Sequence, residues 1–354
     1  MLERYAYLNT GTFGPLPRAT VEAMQAVERQ ELEEGRSSRA YFEWAMAARE
    51  EVRDAFARLL RTSTEQVALT SSTTEGCNIV LCGLGIEAGD EVVTTDSEHP
   101  GLMGGLVSSG ANLRLAEVRD LPAAEVLGAI QAQITPRTRL IALSHVSWLT
   151  GALFPVRDLA GHGVPVLVDG AQGAGAIPVD VEELGVDFYT VSAQKWLLGP
   201  AGTGALYLRP EHVEACRVAF PSYFSWKLPD YQLKEGAERF EGSWTPPASV
   251  AGLLASFAFA AEAGEERFAR ARAMAERCRE LLAEHGAEVV TEPEQATLVS
   301  WRAGEPEKVV ERLAEQGVVV RDLPGTGLVR ASCGFWTSDD DLDRLTEGFV
   351  AARG

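Results

Sequence analysis

The 354-residue chain carries 32 Lys and Arg against 51 Asp and Glu, a formal net charge of −19, with 46% hydrophobic and 23% charged residues. Its length predicts about two domains around a sizeable core, and its balance is that of a globular rather than a disordered chain. The acidity argues against a binder of nucleic-acid backbones, which needs a basic face, and against an electrostatic membrane anchor.

In chain order, Met1 to Tyr7 lacks a basic stretch followed by an apolar run, so no signal peptide is expected. Tyr7 to Pro15 is rich in turn formers and reads as irregular. Pro17 suits the start of a helix reaching about Gly35. A second amphipathic helix fits Tyr41 to Arg61, with Phe42, Ala45, Val52, Phe56 and Leu60 at helical spacing. Short apolar strands then alternate with helical stretches. The strands are expected at Val67–Ser71, Glu91–Thr95, Leu113–Val118, Leu140–His145, Val164–Asp169, Phe188–Ser192 and Gly204–Leu208. That alternation predicts an α/β fold with a mostly parallel sheet covered on both faces. A long helical stretch from Ser249 to about His285, with Gly264 as a break, leads into strands near Val289, Leu298, Val318 and Val329 and helices from Glu305 and Ser338. The apolar run Val250–Ala261 is too short to span a bilayer. Five scattered cysteines without a C-x-x-C pair point to a reduced, cytoplasmic protein with no disulfide framework and no metal site.

Sites of open α/β sheets form where strand C-termini meet helix N-termini, and three segments place polar residues there. Ser71-Ser72-Thr73-Thr74-Glu75-Gly76 ends a strand and opens a helix, which makes an anion cradle, although plain N-capping would use the same residues. Asp169 closes the apolar strand Val166-Leu167-Val168, where a carboxylate is costly unless it meets a cation or caps a helix. Lys195, in Ser192-Ala193-Gln194-Lys195-Trp196-Leu197-Leu198-Gly199-Pro200, enters an apolar turn, and a desolvated lysine is a usable amine nucleophile. Most lysines face solvent, but the neighbours of this one weaken that reading. No G-x-G-x-x-G follows the first strand of the sheet, against a dinucleotide site. A non-enzymatic α/β binding protein is the alternative of a different class.

A phosphate cradle, a strand-end Asp and an apolar Lys together suit pyridoxal phosphate (PLP). In these motifs the chain resembles the class V aminotransferases, the cysteine-desulfurase-like branch of fold-type-I PLP enzymes, from Tyr7-Leu8-Asn9 through Thr337. The resemblance implies a fold-type-I PLP-dependent transferase, with a large domain over residues 17–248 built on a seven-stranded sheet. A smaller α+β domain would combine residues 1–16 and 249–354. It further implies that Lys195 carries PLP, Asp169 pairs with the pyridine nitrogen, and Gln172 meets the phenolic oxygen. Thr73, Thr74 and Ser192 would hold the phosphate, while His99 would stack on the ring and relay protons. Arg330 would clamp the substrate α-carboxylate, with Asn9 also at the substrate. Glu241-Gly242-Ser243-Trp244-Thr245-Pro246 would reach the phosphate of a partner subunit through Ser243 or Thr245, which implies a homodimer.

The chain also departs from that pattern. Gln194 stands where many relatives have His, so a changed phosphate contact is expected. Trp148 replaces a usual Asn and favours a side branch over the desulfurases. Val320-Arg321-Asp322-Leu323-Pro324-Gly325-Thr326-Gly327-Leu328-Val329-Arg330 is short and holds no cysteine where desulfurases carry their persulfide-forming thiol. Cys333 is the cysteine nearest the expected pocket and reads either as a substrate contact or as a buried structural thiol. Without an acceptor thiol, β-elimination is the simplest remaining sulfur chemistry, and the chain looks most similar to the cysteine/cystine C–S lyases of the family. Transamination, epimerisation and desulfuration are the alternatives within it.

Overall fold

The computed structural model describes residues 1–353. Its centre is a seven-stranded sheet whose strands lie in the order Val67–Thr70, Gly204–Leu208, Phe188–Ser192, Val166–Asp169, Thr138–Ser144, Glu91–Thr95, Asn112–Ala116. All pairings are parallel except the two made by Gly204–Leu208, which runs against both of its neighbours. The reason is local. The chain returns from Ser192 to Gly204 without a helix, and a parallel return needs a crossover. That return carries Lys195. The seven strands expected for this sheet are all present, several shifted by one or two residues at their ends.

Central strands such as Val166-Leu167-Val168-Asp169 are buried throughout, as a sheet covered on both faces requires. One face packs against Phe56, Leu60, Ile130 and Leu253, the other against Ile79, Leu102, Leu106 and Phe240.

The helical stretch after Ser249 divides, with Pro247–Glu262 and Glu266–Glu284 meeting at 81° around Gly264. Among the described residues no single helix is long and apolar enough to cross a membrane. The C-terminal region forms a three-stranded antiparallel sheet, Leu298–Arg302, Leu328–Ser332 and Arg321–Leu323, backed by Trp301, Leu313, Leu342 and Leu345. Val289 makes only an isolated bridge to Trp301 instead of the expected strand.

The segment after Tyr7 is irregular through Pro15, as expected, but a short strand precedes it. Ala6–Tyr7 forms a strand parallel to Val318–Val319, and Asn9 bridges to Ser332. Its partner lies at the other end of the sequence, so no local pattern announces it. This pairing carries Gly11, Thr12 and Phe13 to the edge of the large sheet.

A buried ion cluster ties the Glu241–Pro246 segment to the helix Arg39–Leu60. Glu241, fully buried, accepts from Arg49 Nη2 at 2.5 Å, from Arg53 Nη2 at 2.7 Å and from the Leu69 amide at 2.9 Å. The Arg49 guanidinium also lies 4.1 Å from the centroid of the Phe224 ring. Removing the carboxylate strands the buried Arg49 and leaves Arg53 only Glu50, a loss of about 3–5 kcal/mol. Glu241→Ala is therefore expected to lower the denaturation midpoint by an amount matching that loss, and an unchanged midpoint in chemical unfolding contradicts this account.

Candidate active site

The C-terminal ends of the parallel strands open onto a cavity of about 230 Å³ lined by Thr73, His99, Trp148, Gln172, Lys195 and Arg330, among others. A roomier cleft of about 510 Å³, lined by Arg61, Arg157, Asp180, Glu183 and Phe268 among others, holds neither Lys195 nor Arg330 nor the Ser-Thr helix start.

Asp169 ends its strand in a small recess that shares His99, Trp148, Gln172 and Lys195 with this cavity. Its Oδ1 accepts the Ala171 amide at 2.9 Å, and burial pushes its carboxyl up while the Lys195 charge pulls it down. Lys195 lies on the return loop with its Nζ in the same space. Burial lowers the ammonium to about 8; Asp169 opposes that shift, and Arg330 and Arg321 reinforce it. The amine is thus available as a base near neutral pH.

The anion cradle is present. Ser72 caps the helix Thr73–Gly83 by accepting the Glu75 amide, and Ser192 Oγ accepts the Thr73 amide at 3.0 Å. Thr74 packs against the start of the next helix, where a Cβ on Gly101 would lie 2.5 Å from Thr74 Oγ1. That next helix, Pro100–Ser109, is capped by His99, whose Nδ1 accepts the Gly101 amide at 3.0 Å. Burial, then Lys195, Arg321 and Arg330, lower the imidazole to about 4. A neutral ring with Nδ1 accepting carries its proton on Nε2. Trp148 meets this ring edge-on, with centroids 5.1 Å apart.

Gln172 is oriented by partners whose roles are fixed. The Trp196 indole can only donate, and it does so to Gln172 Oε1 at 2.9 Å. Nε2 then donates to the Gly11 carbonyl at 2.8 Å and keeps its second hydrogen. Trp196 had read from sequence as an apolar neighbour only; its indole N–H is what sets Gln172.

Arg330 is 1% exposed, donates from Nη1 to the Trp148 carbonyl at 2.8 Å, and leaves Nε without a partner. Burial and the nearby Arg321 lower it to about 9. A Cβ on Gly11 would come within 2.8 Å of its Nη2, so glycine keeps that flank open. Arg321 pairs directly across the hairpin from Arg330 and lines the same cavity, with Nη1 donating to Thr12 Oγ1 at 2.9 Å. Arg321 had stood out only as a boundary of the cysteine-free loop. The cross-strand register is what turns it toward the site.

The other expected residues fall as follows. Asn9 sits one layer back, accepting from the Thr12 hydroxyl at 2.7 Å. Gln194 lines the cavity with a buried, unpartnered Oε1. Ser243 is exposed, Thr245 accepts from Arg49 Nη1 at 3.3 Å, and neither lines the cavity of its own chain. Cys333 is buried in the small core beside Cys278, its thiol pushed far up by that neighbour and by burial. It is a structural thiol and not a substrate contact. No cysteine lines the cavity among the described residues, nor do they contain a cluster of metal-ligating side chains.

The donor set fits PLP. It combines a helix start with the Thr73, Thr74 and Ser192 hydroxyls for a phosphate, a buried carboxylate for a ring nitrogen, an amine for an aldehyde, and the orphaned Arg330 Nε–H for the carboxylate of an amino acid. The Aminotransferase class-V family profile matches residues 6–345. The chain belongs to the class V aminotransferase family. It is a PLP-dependent enzyme of that family and shares its fold with solved members. The cystine C–S lyase C-DES, in complex with its reaction product cysteine persulfide, superposes with a TM-score of 0.92 at 30% identity, over 99% of this chain and 98% of that one. C-DES is also known as a variant with glycine covalently linked to PLP, at TM-score 0.91. Isopenicillin N epimerase of Streptomyces clavuligerus is 30% identical over 98% of this chain and 94% of its own length. Cysteine desulfurase CsdA of Escherichia coli is 29% identical over 96% and 92%.

The lowered Lys195 makes a measurable demand of this class V enzyme. The rate at which apo-protein takes up PLP covalently should rise with pH through a midpoint near 8, set by the free amine. Arg330→Gln removes a neighbouring positive charge and should move that midpoint upward; a downward move contradicts the electrostatics. The same variant should lower kcat/KM for amino-acid substrates by about two orders of magnitude or more, mostly through KM, because a buried charge-assisted contact to a carboxylate is worth about 2–5 kcal/mol.

Proposed function

We propose that this protein is a PLP-dependent C–S lyase that cleaves a cystine-like amino acid by β-elimination. One observation carries the reading: the hairpin joining Arg321 to Arg330 brings two guanidinium groups, and no thiol, into the cavity. Directly opposed residues of an antiparallel pair share a face, and two like charges there favour a substrate with two carboxylates. Cystine has them. Arg330 takes the α-carboxylate and Arg321 the distal one.

When bound, PLP supplies the electron sink that makes the α-proton acidic. Asp169 holds the positive charge at the ring nitrogen, Gln172 donates its free N–H to the phenolic oxygen, and Thr73, Thr74, Ser192 and Gln194 hold the phosphate. Lys195 would hold the cofactor through its amine, and the same Nζ, once free, would take the α-proton. His99, a neutral imidazole able to donate from Nε2, would stack on the ring of the bound cofactor. Breaking the Cβ–S bond sends the electron pair to sulfur. The balanced outcome is cystine and water giving pyruvate, ammonia and cysteine persulfide. Residues 17–248 act as the cofactor-binding domain, and residues 1–16 with 249–354 as the smaller domain that brings the arginines. The protein works as a cytoplasmic homodimer. Ser243 or Thr245 then completes the phosphate site of the partner, a reading supported by the exposure of Ser243 and of Phe42 and Tyr223 beside Trp244.

The holoenzyme supplied with L-cystine should release pyruvate, ammonia and persulfide in equal amounts. Release of an inverted amino acid, or conversion of the cofactor to its amine form with demand for a keto acid, makes it an epimerase or an aminotransferase instead. A colourless protein that PLP cannot reconstitute would make it an α/β binding protein. Arg321→Gln should raise KM for cystine by about 10- to 100-fold, the worth of a hydrogen bond to a charged group, and change KM for cysteine by less than about threefold. Equal effects on both substrates contradict the two-carboxylate reading.

A further inference from the structure

Glu98 has no part in the chemistry above, yet it is a carboxyl group buried at the same strand ends, 7% exposed. Its Oε1 accepts the Thr95 hydroxyl at 2.7 Å. Its Oε2 accepts both the Ser144 amide at 2.8 Å and the Ser144 hydroxyl at 2.5 Å. Ser144 is the register partner of Asp169 on the adjacent strand, and both line a small recess with His99 and Lys195. The titratable groups facing Glu98 are Asp169, on the strand Val166–Asp169, and the Cys77 thiol, on the helix Thr73–Gly83. Neither is a cation.

Two consequences follow from this placement. Glu98 immediately precedes His99, so its bonds to Ser144 tie the loop carrying the imidazole to the strand next to Asp169. It also sets a second acidic group close to Asp169, where two charges are hard to sustain unless a cation lies in front of them.

We propose that Glu98 is a positioning residue of the cofactor site: anchored on Ser144, it fixes the loop that carries His99 and lends or withholds a negative charge behind Asp169. The inference rests on the reading in which Asp169 faces the ring nitrogen of PLP. Burial first, with Asp169 adding to it, pushes the Glu98 carboxyl up to about 7, against hydrogen bonds from Ser144 and Thr95 that pull it down. Glu98 therefore gains its charge as pH rises through neutrality and then favours the protonated ring nitrogen.

The readout is the visible absorbance and circular dichroism of the bound cofactor, titrated with pH in the absence of substrate. The wild-type holoenzyme should show a spectral transition near pH 7 that Glu98→Gln abolishes. The amide can keep the bond from Ser144 and donate to Thr95, so this variant should retain the dichroism of the cofactor, whereas Glu98→Ala should lose more than half of it. Ser144→Ala removes one donor to the carboxylate and should move the transition upward by about one pH unit, which keeps the test available if either Glu98 variant fails to fold. A transition that persists unchanged in Glu98→Gln, or that Ser144→Ala leaves in place, overturns the inference. Colourless wild-type protein would instead refute the cofactor reading on which it rests.

Discussion

A guanidinium taken out of water without a carboxylate beside it costs several kcal/mol, and the cavity is arranged around that cost. Arg330 is almost wholly buried, holds one carbonyl and leaves Nε unsatisfied. Arg321 stands opposite it and Lys195 shares the space; burial first, then the neighbouring arginine charges, lower Lys195 and Arg330, and burial with all three cations lowers His99. Asp169 is the acidic counterweight, and it sits behind the cavity rather than among the arginines. A site built this way is completed by anions from outside. The phosphate of the cofactor and the carboxylates of an amino acid are such anions.

That arrangement depends on both ends of the chain meeting the large sheet. Asp169, Ser192 and Lys195 come from strand ends and the return loop, whereas Arg321 and Arg330 come from the small antiparallel sheet. Gly11 and Thr12 lie between them, brought there by the pairing of Ala6–Tyr7 with Val318–Val319. Contacts cross this junction in both directions, from Gln172 to the Gly11 carbonyl and from Arg321 to Thr12. The position of the arginines relative to the lysine is therefore a property of the packed junction, not of either sheet alone.

Much of this was legible in the sequence where the cause is local. The apolar runs of the sheet, the Ser-Thr cradle, the strand-end Asp169 and the apolar turn of Lys195 each report their own burial or capping, and the helices and strands fall close to where periodicity put them. What stayed hidden depends on partners distant in sequence. The strand at Ala6–Tyr7 exists because Val318–Val319 lies beside it. The donor role of Trp196 toward Gln172, and the inward face of Arg321, follow from register and packing that no window of residues displays. The antiparallel run of Gly204–Leu208 had a usable sign, the lack of a crossover helix after Ser192, that parallel alternation masked. Cys333 was ambiguous for the opposite reason: three residues from Arg330 in sequence, it lies on the core side of the small sheet, against Cys278.

The missing thiol and the second arginine are two aspects of one structural choice. A cysteine that attacks a substrate sulfur must reach into the cavity and carry its persulfide out again, which calls for a long and mobile loop. Here Arg321–Leu323 is hydrogen-bonded to Leu328–Ser332, and Thr326 closes the turn by donating to the Leu323 carbonyl at 2.7 Å. Such a hairpin holds a side chain in place but cannot shuttle one. It delivers a fixed charge where a desulfurase needs a moving nucleophile. In the proposed reaction the sulfur then leaves with the substrate fragment that carries it, and a second carboxylate on that fragment gives Arg321 something to hold until the Cβ–S bond has broken.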